Sequence, residues 1–415
     1  MLVTRKPSPA ASAGRPATRL KRTLGLPLLI LYGLGTTIGA GIYVLVGKVA
    51  GIAGSYGHYA FLLGLLAALL PALAYAEFVG RAPHAAGSAR YVSEGFRAPW
   101  LGVLVGLAVA LAGLLSAAAL SLGAAGYLTR WLSIPELMLA LSLATVLALV
   151  AVVGIRESVL AAGVITALEV GGLLLVIFAG LAHEPVEALS SLAHPPPMTM
   201  ADAARVFGAT LLTFFAFIGF EDMVTVAEET KRPERTLARA IFLTLFITAV
   251  IYLLVYAVAT TTVSHAELGR SKEPLALVAE RLPGVPADMI AAIASIAVVN
   301  GVLVQIVMAS RIFYGLARMG RLPAALGWVH PRFRTPLNAV LLAWLIMMGL
   351  ALAFPVVEGL AGMTARIVLL VYALVCAALL AVKWRGEPPP EGAFRAPAPL
   401  VAAGLVICLV LLFTA

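Results

Sequence analysis

Long apolar segments follow one another along almost the whole chain, and the polar connections between them are mostly short. A helix that crosses the hydrocarbon core of a bilayer needs about 20 mostly apolar residues. Only 12% of the 415 residues are charged, whereas an ordinary soluble domain carries about a quarter. The sequence therefore predicts an all-α polytopic membrane protein surrounded by the lipid bilayer, with no room for a soluble domain of any size.

The hydropathy pattern predicts about eleven membrane spans. Their predicted bounds are 25–47, 55–80, 98–127, 136–155, 159–181, 204–229, 237–262, 286–317, 337–355, 359–383 and 398–414. Residues 1–22, rich in Pro, Ala, Ser and basic residues, are expected to form a disordered cytoplasmic arm. The first apolar segment is too long and too rich in glycine for a cleaved signal peptide, so we expect it to stay in the mature protein.

The basic residues divide unevenly between the two sides of the predicted membrane. Of the 29 Lys and Arg residues, 22 fall on the side of the amino terminus. The remaining seven are Lys48, Arg130, Arg205, Arg270, Lys272, Arg281 and Arg366. The positive-inside rule then predicts a cytoplasmic amino terminus and an external carboxyl terminus, in the inner (plasma) membrane. Because loops and arm account for the net charge of +9, no nucleic-acid partner is expected.

Two of the predicted spans contain features that interrupt a helix. Span 1 has four glycines in the nine residues 33–41, and glycine weakens a helix interior. Span 6 has Gly219 followed by two adjacent acids, Glu221 and Asp222. Interrupted segments at corresponding positions of two five-helix halves indicate a transporter with inverted repeats. Close helix packing explains the glycines of span 1 about equally well, and the matching break in span 6 favours the transporter.

Unwinding a helix inside a membrane frees backbone groups that need partners. The half-helix that restarts after a break presents the positive end of its dipole, which suits a carboxylate. The carbonyl groups freed beside it suit an ammonium group. A pair of such breaks is therefore a candidate site for a ligand that carries both groups.

A set of short motifs occurs in a fixed order along the chain. They are Ile38-Gly-Ala-Gly-Ile42, Tyr75-Ala-Glu-Phe78, Gly87-Ser-Ala-Arg-Tyr91, Gly154-Ile-Arg-Glu-Ser158, Phe214 to Asp222, Glu228-Glu-Thr-Lys-Arg-Pro233, Ser310 to Arg318, Leu322-Pro323 and His330 to Pro336. Each motif alone is weak. In this order and spacing the chain resembles the amino acid-polyamine-organocation (APC) transporters over residues 22–414, and most of all their bacterial, cationic-amino-acid-transporter-like branch.

The resemblance implies a five-plus-five inverted-repeat (LeuT-like) core at 23–383, with repeat one at 23–181 and repeat two at 204–383. Residues 384–415 would add a loop and one further helix. The substrate would lie between the two breaks, its carboxylate near the N–H groups of Ala40, Gly41 and Ile42. Its ammonium would meet the carbonyls of Thr37, Phe215, Ala216 and Ile218. The whole implied substrate site is Thr37, Ile38, Gly39, Ala40, Gly41, Ile42, Phe215, Ala216, Phe217, Ile218, Gly219, Phe220 and Glu221, with Phe217 and Phe220 as candidate gates.

The chain departs from the family pattern in two ways. Many members have twelve spans rather than eleven, which puts oligomer contacts in doubt more than transport. Near relatives also carry a lysine in span 5, where this chain has Glu169. An ionised carboxylate at that depth is costly unless it is paired or faces a wet cavity, so we favour a proton or cation site over a structural acid. Asn300 in span 8 either completes a coupling site with Glu169 or makes an interhelical hydrogen bond.

The adjacent acids of span 6 lie about 100° apart on a helix, so both cannot face one cavity unless the chain is unwound. The resemblance favours Glu221 as the site residue over Asp222. No Walker A loop, His-Glu-x-x-His string or Gly-x-Ser-x-Gly elbow occurs, and the histidines and the two cysteines form no metal pattern, so neither an enzyme, a cofactor nor a metal is expected.

The predicted function is a secondary active transporter for amino acids or related amines that works by alternating access, with proton-coupled uptake as the leading mode. One rival is an amino acid/polyamine antiporter, in which the acids near the core hold a cationic substrate. A second rival is a membrane sensor or channel on the same fold. The sequence names neither the substrate nor the oligomeric state.

Overall fold

The computed structural model describes residues 23–39, 41–81, 87–153, 159–184 and 197–414. The predicted arm at 1–22 and the Gly154–Ser158 motif therefore lie outside the described residues. Nearly all of the described chain is helical, and its β-structure consists of one isolated bridge between Leu24 and Thr230.

The α-helices, numbered in chain order, are α1 Leu26–Thr37, α2 Gly41–Ala53, α3 Gly57–Arg81, α4 Gly87–Phe96, α5 Pro99–Leu128, α6 Glu136–Val153, α7 Val159–His183, α8 Met200–Phe217, α9 Pro233–Thr262, α10 His265–Arg270, α11 Pro274–Arg281, α12 Ala287–Arg318, α13 Leu337–Ala353, α14 Val357–Trp384 and α15 Ala398–Thr414. Three 3-10 helices cover Gly54–Tyr56, Phe220–Glu229 and Ala324–Gly327.

Eight helical stretches among the described residues are long and apolar enough to cross a membrane. The shorter apolar helices α1, α13 and α15 lie within three further predicted spans. The prediction of an all-α polytopic membrane protein is therefore confirmed, while the number of spans stays a prediction.

Both predicted interruptions are present. The first span divides into α1 and α2, with Gly39 between them at a φ of +33°. The sixth span divides after α8, where Gly219 has a φ of +122° and a 3-10 helix follows from Phe220. Such positive φ values favour glycine, because a side chain would clash with the backbone. The placement of two repeats around these breaks remains a prediction.

The helices pack so that the broken spans are enclosed. The second half of the first span, α2, packs against α8, and α1 packs against α7 and α9. On another side, α5 packs along α12 and α14. The hydropathy pattern did not predict three short helices: α4, which packs against α5 and α14, and α10 and α11, which pack against α2.

A fully buried carboxylate ties the end of α3 to the end of α14. Glu77 accepts hydrogen bonds from Arg81 at 2.7 and 3.0 Å and from the ammonium of Lys383 at 2.6 Å. Its second oxygen also accepts the backbone N–H of Ala396 at 2.8 Å, in the segment that leads to α15. One carboxylate thus joins three parts of the chain that are far apart in sequence.

Replacement of Glu77 by alanine should destabilise the fold, because Arg81 and Lys383 would lose their shared counter-charge in a buried place. Removing one partner of a buried ion pair costs about 3–5 kcal/mol. We expect a clearly lower melting temperature for Glu77→Ala purified in detergent. Glu94→Ala is the control, since its ion pair with Arg90 is exposed and contributes little. Equal shifts for the two variants would contradict the structural role of Glu77.

Candidate functional site

A cavity of about 1190 Å³ lies between the two helix breaks. Ile38, Gly39 and Gly41 of the first break line it, and Ala216 and Ile218 line it from the second. Helices α5 and α12 supply much of the remaining wall, and α4, Thr166 of α7 and the 3-10 helix after the second break complete it. The polar lining residues of α5 and α12 include Ser116, Asn300 and Gln305.

The cavity extends to basic residues of one side of the molecule. Its lining includes Arg90, Arg311 and Arg321, all of which the sequence analysis predicts on the cytoplasmic side. The described lining residues include none of the seven basic residues assigned to the opposite side. The lining therefore reaches the side that is predicted to carry most of the basic residues.

The opposite side is closed by close contact between α10 and α2. A Cβ atom added at Gly51 would lie 2.9 Å from the Cα atom of Gly269, and one added at Gly47 would lie 2.5 Å from the carbonyl oxygen of Leu268. These glycines allow two backbones to touch above the site. An ion pair of 3.1 Å between Lys48 of α2 and Glu358 of α14 lies on the same side.

A cluster of ion pairs around a single arginine lies on the same side. Arg130, just after α5, donates hydrogen bonds to Glu273, Glu280 and Asp288 at 3.1, 2.9 and 2.5 Å. Partial burial raises the pKa of Glu273, and the charge of Arg130 opposes that shift. Through one side chain the cluster joins the end of α5 to the loop helix α11 and to the start of α12.

The two breaks contact each other directly. A Cβ atom at Gly219 would lie only 2.1 Å from the carbonyl oxygen of Thr36, which is closer than any non-bonded contact allows. A Cβ atom at Gly41 would lie 3.3 Å from the Cα atom of Ala216. Glycine is therefore needed for contact as well as for backbone conformation, and the breaks form one structural unit.

Glu221 stabilises the second break through a hydrogen bond to its backbone. Its carboxylate accepts the N–H of Gly219 at 2.8 Å and the hydroxyl of Tyr372 at 2.6 Å. One N–H group freed by the break is thereby satisfied. The next residue, Asp222, also lines the cavity, and no described residue donates a hydrogen bond to its carboxylate. Asp222 is thus the acid with free acceptor capacity, although the resemblance favoured Glu221.

Three backbone carbonyls from the two breaks converge on one hydroxyl group. The hydroxyl of Tyr252, on α9, donates to Ala216 at 2.8 Å, and its oxygen lies 3.2 and 3.3 Å from the carbonyl oxygens of Thr37 and Ile38. Among the described residues, no backbone N–H from another element donates to these carbonyls. A tyrosine has one O–H hydrogen, so it cannot satisfy three acceptors.

Glu169 is buried in α7, with 1% of its surface exposed. Within the described part of the chain, neither of its carboxylate oxygens has a hydrogen-bond partner. Tyr43 donates its hydroxyl to the main-chain oxygen of Glu169 at 2.5 Å. Glu169 does not line the cavity, whereas Asn300 does, and the two form no hydrogen bond with each other in the structure.

The predicted site residues fall into three groups. The cavity lining includes Thr37, Ile38, Gly39, Gly41, Phe215, Ala216, Ile218, Glu221 and Asn300. The residues packed behind it are Ile42, Phe217, Gly219, Phe220 and Glu169. Ala40 lies outside the described residues. Phe217 packs on Tyr252 and Phe220 on Tyr75 and Tyr372, and neither phenylalanine lines the cavity, so their role as gates stays a prediction.

Sequence reasoning missed Tyr252, Tyr372 and Gln305. Each lies among mostly apolar neighbours in a long helix, and the averaging of hydropathy over a window hides such residues. A search for polar atoms at mid-span positions would have found them, because such atoms need partners in a membrane.

The sequence profile of the amino acid permease family matches residues 24–415. The chain belongs to this family, within the APC superfamily. Among its relatives, the branched-chain amino acid permease BcaP of Bacillus subtilis is 29% identical over 97% of this chain and 90% of its own length. An Arabidopsis thaliana protein named cationic amino acid transporter 2, vacuolar, is 30% identical over 94% of this chain and 64% of its own length. The methylthioribose transporter of Bacillus subtilis is 27% identical over 98% of this chain and 91% of its own length.

The contact between the breaks of this permease can be tested at Gly219. Gly219→Ala should lower the stability of the protein by roughly 3 kcal/mol or more, because a strained backbone costs about 1–3 kcal/mol and the clash with Thr36 adds to it. Gly208→Ala, in α8 before the break, is the control, since a Cβ atom there meets nothing within 4 Å. Thermal unfolding in detergent compares the two. Similar melting temperatures would show that the breaks do not touch as described.

Proposed function

We propose that the protein is a secondary active transporter that carries amino acids or related amines by alternating access, and that uptake is coupled to protons. The observation that carries the proposal is the convergence of three carbonyls, from Thr37, Ile38 and Ala216, on a single donor hydrogen. An ammonium group brings three N–H donors and a positive charge. It therefore matches the set of acceptors that the two breaks present.

The other half of an amino acid has a partner on the opposite side of the first break. The helix α2 begins at Gly41, which lines the cavity, so its free N–H groups and the positive end of its dipole lie at the site. The hydroxyl of Thr37, also in the lining, is buried and has no partner among the described residues. A carboxylate near Gly41 and an ammonium near Ala216 are the two ends of an α-amino acid.

The shape of the cavity supports alternating access. The site lies where two spans are interrupted, with one side open towards Arg311 and the other closed by α2 and α10. We place the open side and the amino terminus in the cytoplasm and the carboxyl terminus outside, because most basic residues lie on that open side. Transport then requires a conformational change that closes the open side of the site and opens the closed side.

A specific observation favours a second candidate, an exchanger of cationic amino acids or polyamines. The carboxylate of Asp222 lines the cavity without a donor from the described residues, which suits a second positive charge on the substrate. The names of the relatives include a branched-chain amino acid, cationic amino acids and methylthioribose, so family membership leaves both candidates open.

Flux measurements in proteoliposomes test the proposal. A panel of radiolabelled amino acids and amines, with methylthioribose included, should give saturable uptake of at least one amino acid or amine, and an acid-outside gradient should increase it. Uptake that needs substrate inside and ignores the gradient would support the exchanger. Binding without flux would overturn transport and favour a sensor.

Gly41→Leu should weaken substrate binding by at least tenfold, because the larger side chain would collide with Ala216 and cover the N–H groups at the start of α2. Substrate-induced thermal stabilisation measures the affinity. Gly349→Leu is a control of the same change, since a Cβ atom there meets nothing within 4 Å. Normal binding by Gly41→Leu would place the carboxylate elsewhere.

We further propose that Glu169 carries the coupling proton. A buried carboxylate that has no hydrogen-bond donor is expensive when ionised, and a proton removes that cost. Thr166, one turn earlier in α7, does line the cavity, so a modest rearrangement would expose Glu169 to water. A carboxyl group that alternates between dry and wet surroundings can take up a proton on one side and release it on the other.

Glu169→Gln keeps the neutral form but cannot exchange a proton. We expect this variant to retain substrate binding and exchange, and to lose accumulation driven by a pH gradient. Glu136→Gln, at an ion pair with Lys272 near the outer surface, should accumulate normally. If Glu169→Gln still concentrates substrate in vesicles that are acidic outside, the proton site is a different residue.

A further inference from the structure

Tyr252 is held rigidly at the point where the two breaks meet. Its side chain is fully buried, and its ring packs against Phe217 at 5.2 Å and Phe61 at 5.8 Å between centroids. Aromatic neighbours on two sides fix the position of the ring. The hydroxyl group therefore points at the break carbonyls because of packing, and it can do so with or without a ligand.

In the empty site, the hydroxyl of Tyr252 donates to carbonyls of the breaks, as the ammonium group of a bound substrate would in the filled site. It donates to Ala216 and lies within 3.3 Å of the carbonyl oxygens of Thr37 and Ile38. A backbone carbonyl at membrane depth that lacks a donor raises the energy of any state that contains it. The state most affected is an empty carrier with the site closed off from water on both sides.

We propose that Tyr252 stands in for the substrate's ammonium in the empty carrier, and that its hydroxyl thereby allows the empty carrier to change sides. This inference rests on the proposed transport function. When substrate is bound, its N–H groups supply the donors and the hydroxyl is no longer essential. Tyr252 is thus a positioning residue for the return step rather than for the loaded step.

The proposal separates two kinds of flux that a carrier can perform. In net uptake the carrier must return to the outer side with its site empty. In exchange the carrier returns with substrate bound, so the site never has to close while empty. Loss of the hydroxyl should therefore slow net uptake and spare exchange. A purely structural role of Tyr252 would affect both fluxes alike.

The closely matched position Tyr256 supplies the control. It lies one turn further along α9, is equally buried, and also packs on Phe61, with ring centroids 5.5 Å apart. Its hydroxyl donates to the carbonyl of Gly54, away from both breaks. Tyr256→Phe thus removes the same atom from the same helix without touching the site.

The test measures net uptake and exchange in the same proteoliposomes, with the best substrate found for the wild-type protein. For Tyr252→Phe we expect net uptake into substrate-free vesicles to fall at least tenfold and exchange with internal substrate to stay within about twofold. Tyr256→Phe should keep both fluxes. Because the ratio of the two fluxes is used, the amount of folded protein cancels.

Three results would overturn the proposal: an equal loss of both fluxes in Tyr252→Phe, a normal ratio in that variant, or a wild-type protein that exchanges but shows no net uptake. If wild-type protein shows neither flux, the transport function itself fails. If Tyr252→Phe unfolds without substrate, the variant is purified with substrate present. The proposal expects bound substrate to restore its stability, because the substrate's N–H groups replace the missing hydroxyl donor. Failure to fold with substrate present would also count against the proposal.

Discussion

Every backbone N–H and C=O group within the hydrocarbon layer needs a hydrogen-bond partner, and the whole site follows from two places where the helices leave that need unmet. At the second break, the carboxylate of Glu221 accepts the N–H of Gly219, and the hydroxyl of Tyr372 donates to the same carboxylate. The carbonyls of both breaks are left to the single hydroxyl of Tyr252. At the breaks the protein thus has more hydrogen-bond acceptors than donors. A ligand that fits this place must therefore bring hydrogen-bond donors.

The glycines of the breaks have a second consequence, which concerns motion. Because Gly219 contacts the carbonyl of Thr36 and Gly41 contacts Ala216, the broken spans cannot slide past each other without a collision. Tyr252 adds α9 to the same unit. Under the proposed alternating access, this unit would move as a body against α5 and α12, whose side chains form part of the facing wall of the cavity.

Much of this architecture could be predicted from the sequence, because it depends on local composition. Long apolar windows locate the spans, and the clusters around Gly39 and Gly219 locate the breaks within a few residues. The partners of the breaks could not be predicted in this way. Glu221 meets Tyr372 and Ala216 meets Tyr252 across long stretches of sequence, and neither periodicity nor hydropathy encodes such a pairing.

In the proposed function, acids around the site would link a substrate to a proton. Glu221 and Asp222 line the cavity beside the break, and Glu169 is buried in α7, three residues after Thr166 of the cavity lining. Arg311, one of the basic residues of the described lining, is about 16 Å further along α12 than Asn300, at 1.5 Å per residue. A proton or a cationic group of the substrate would supply positive charge beside the acids. A site that closes only when its acids are neutralised would bind both together, and that requirement is a physical basis for coupling.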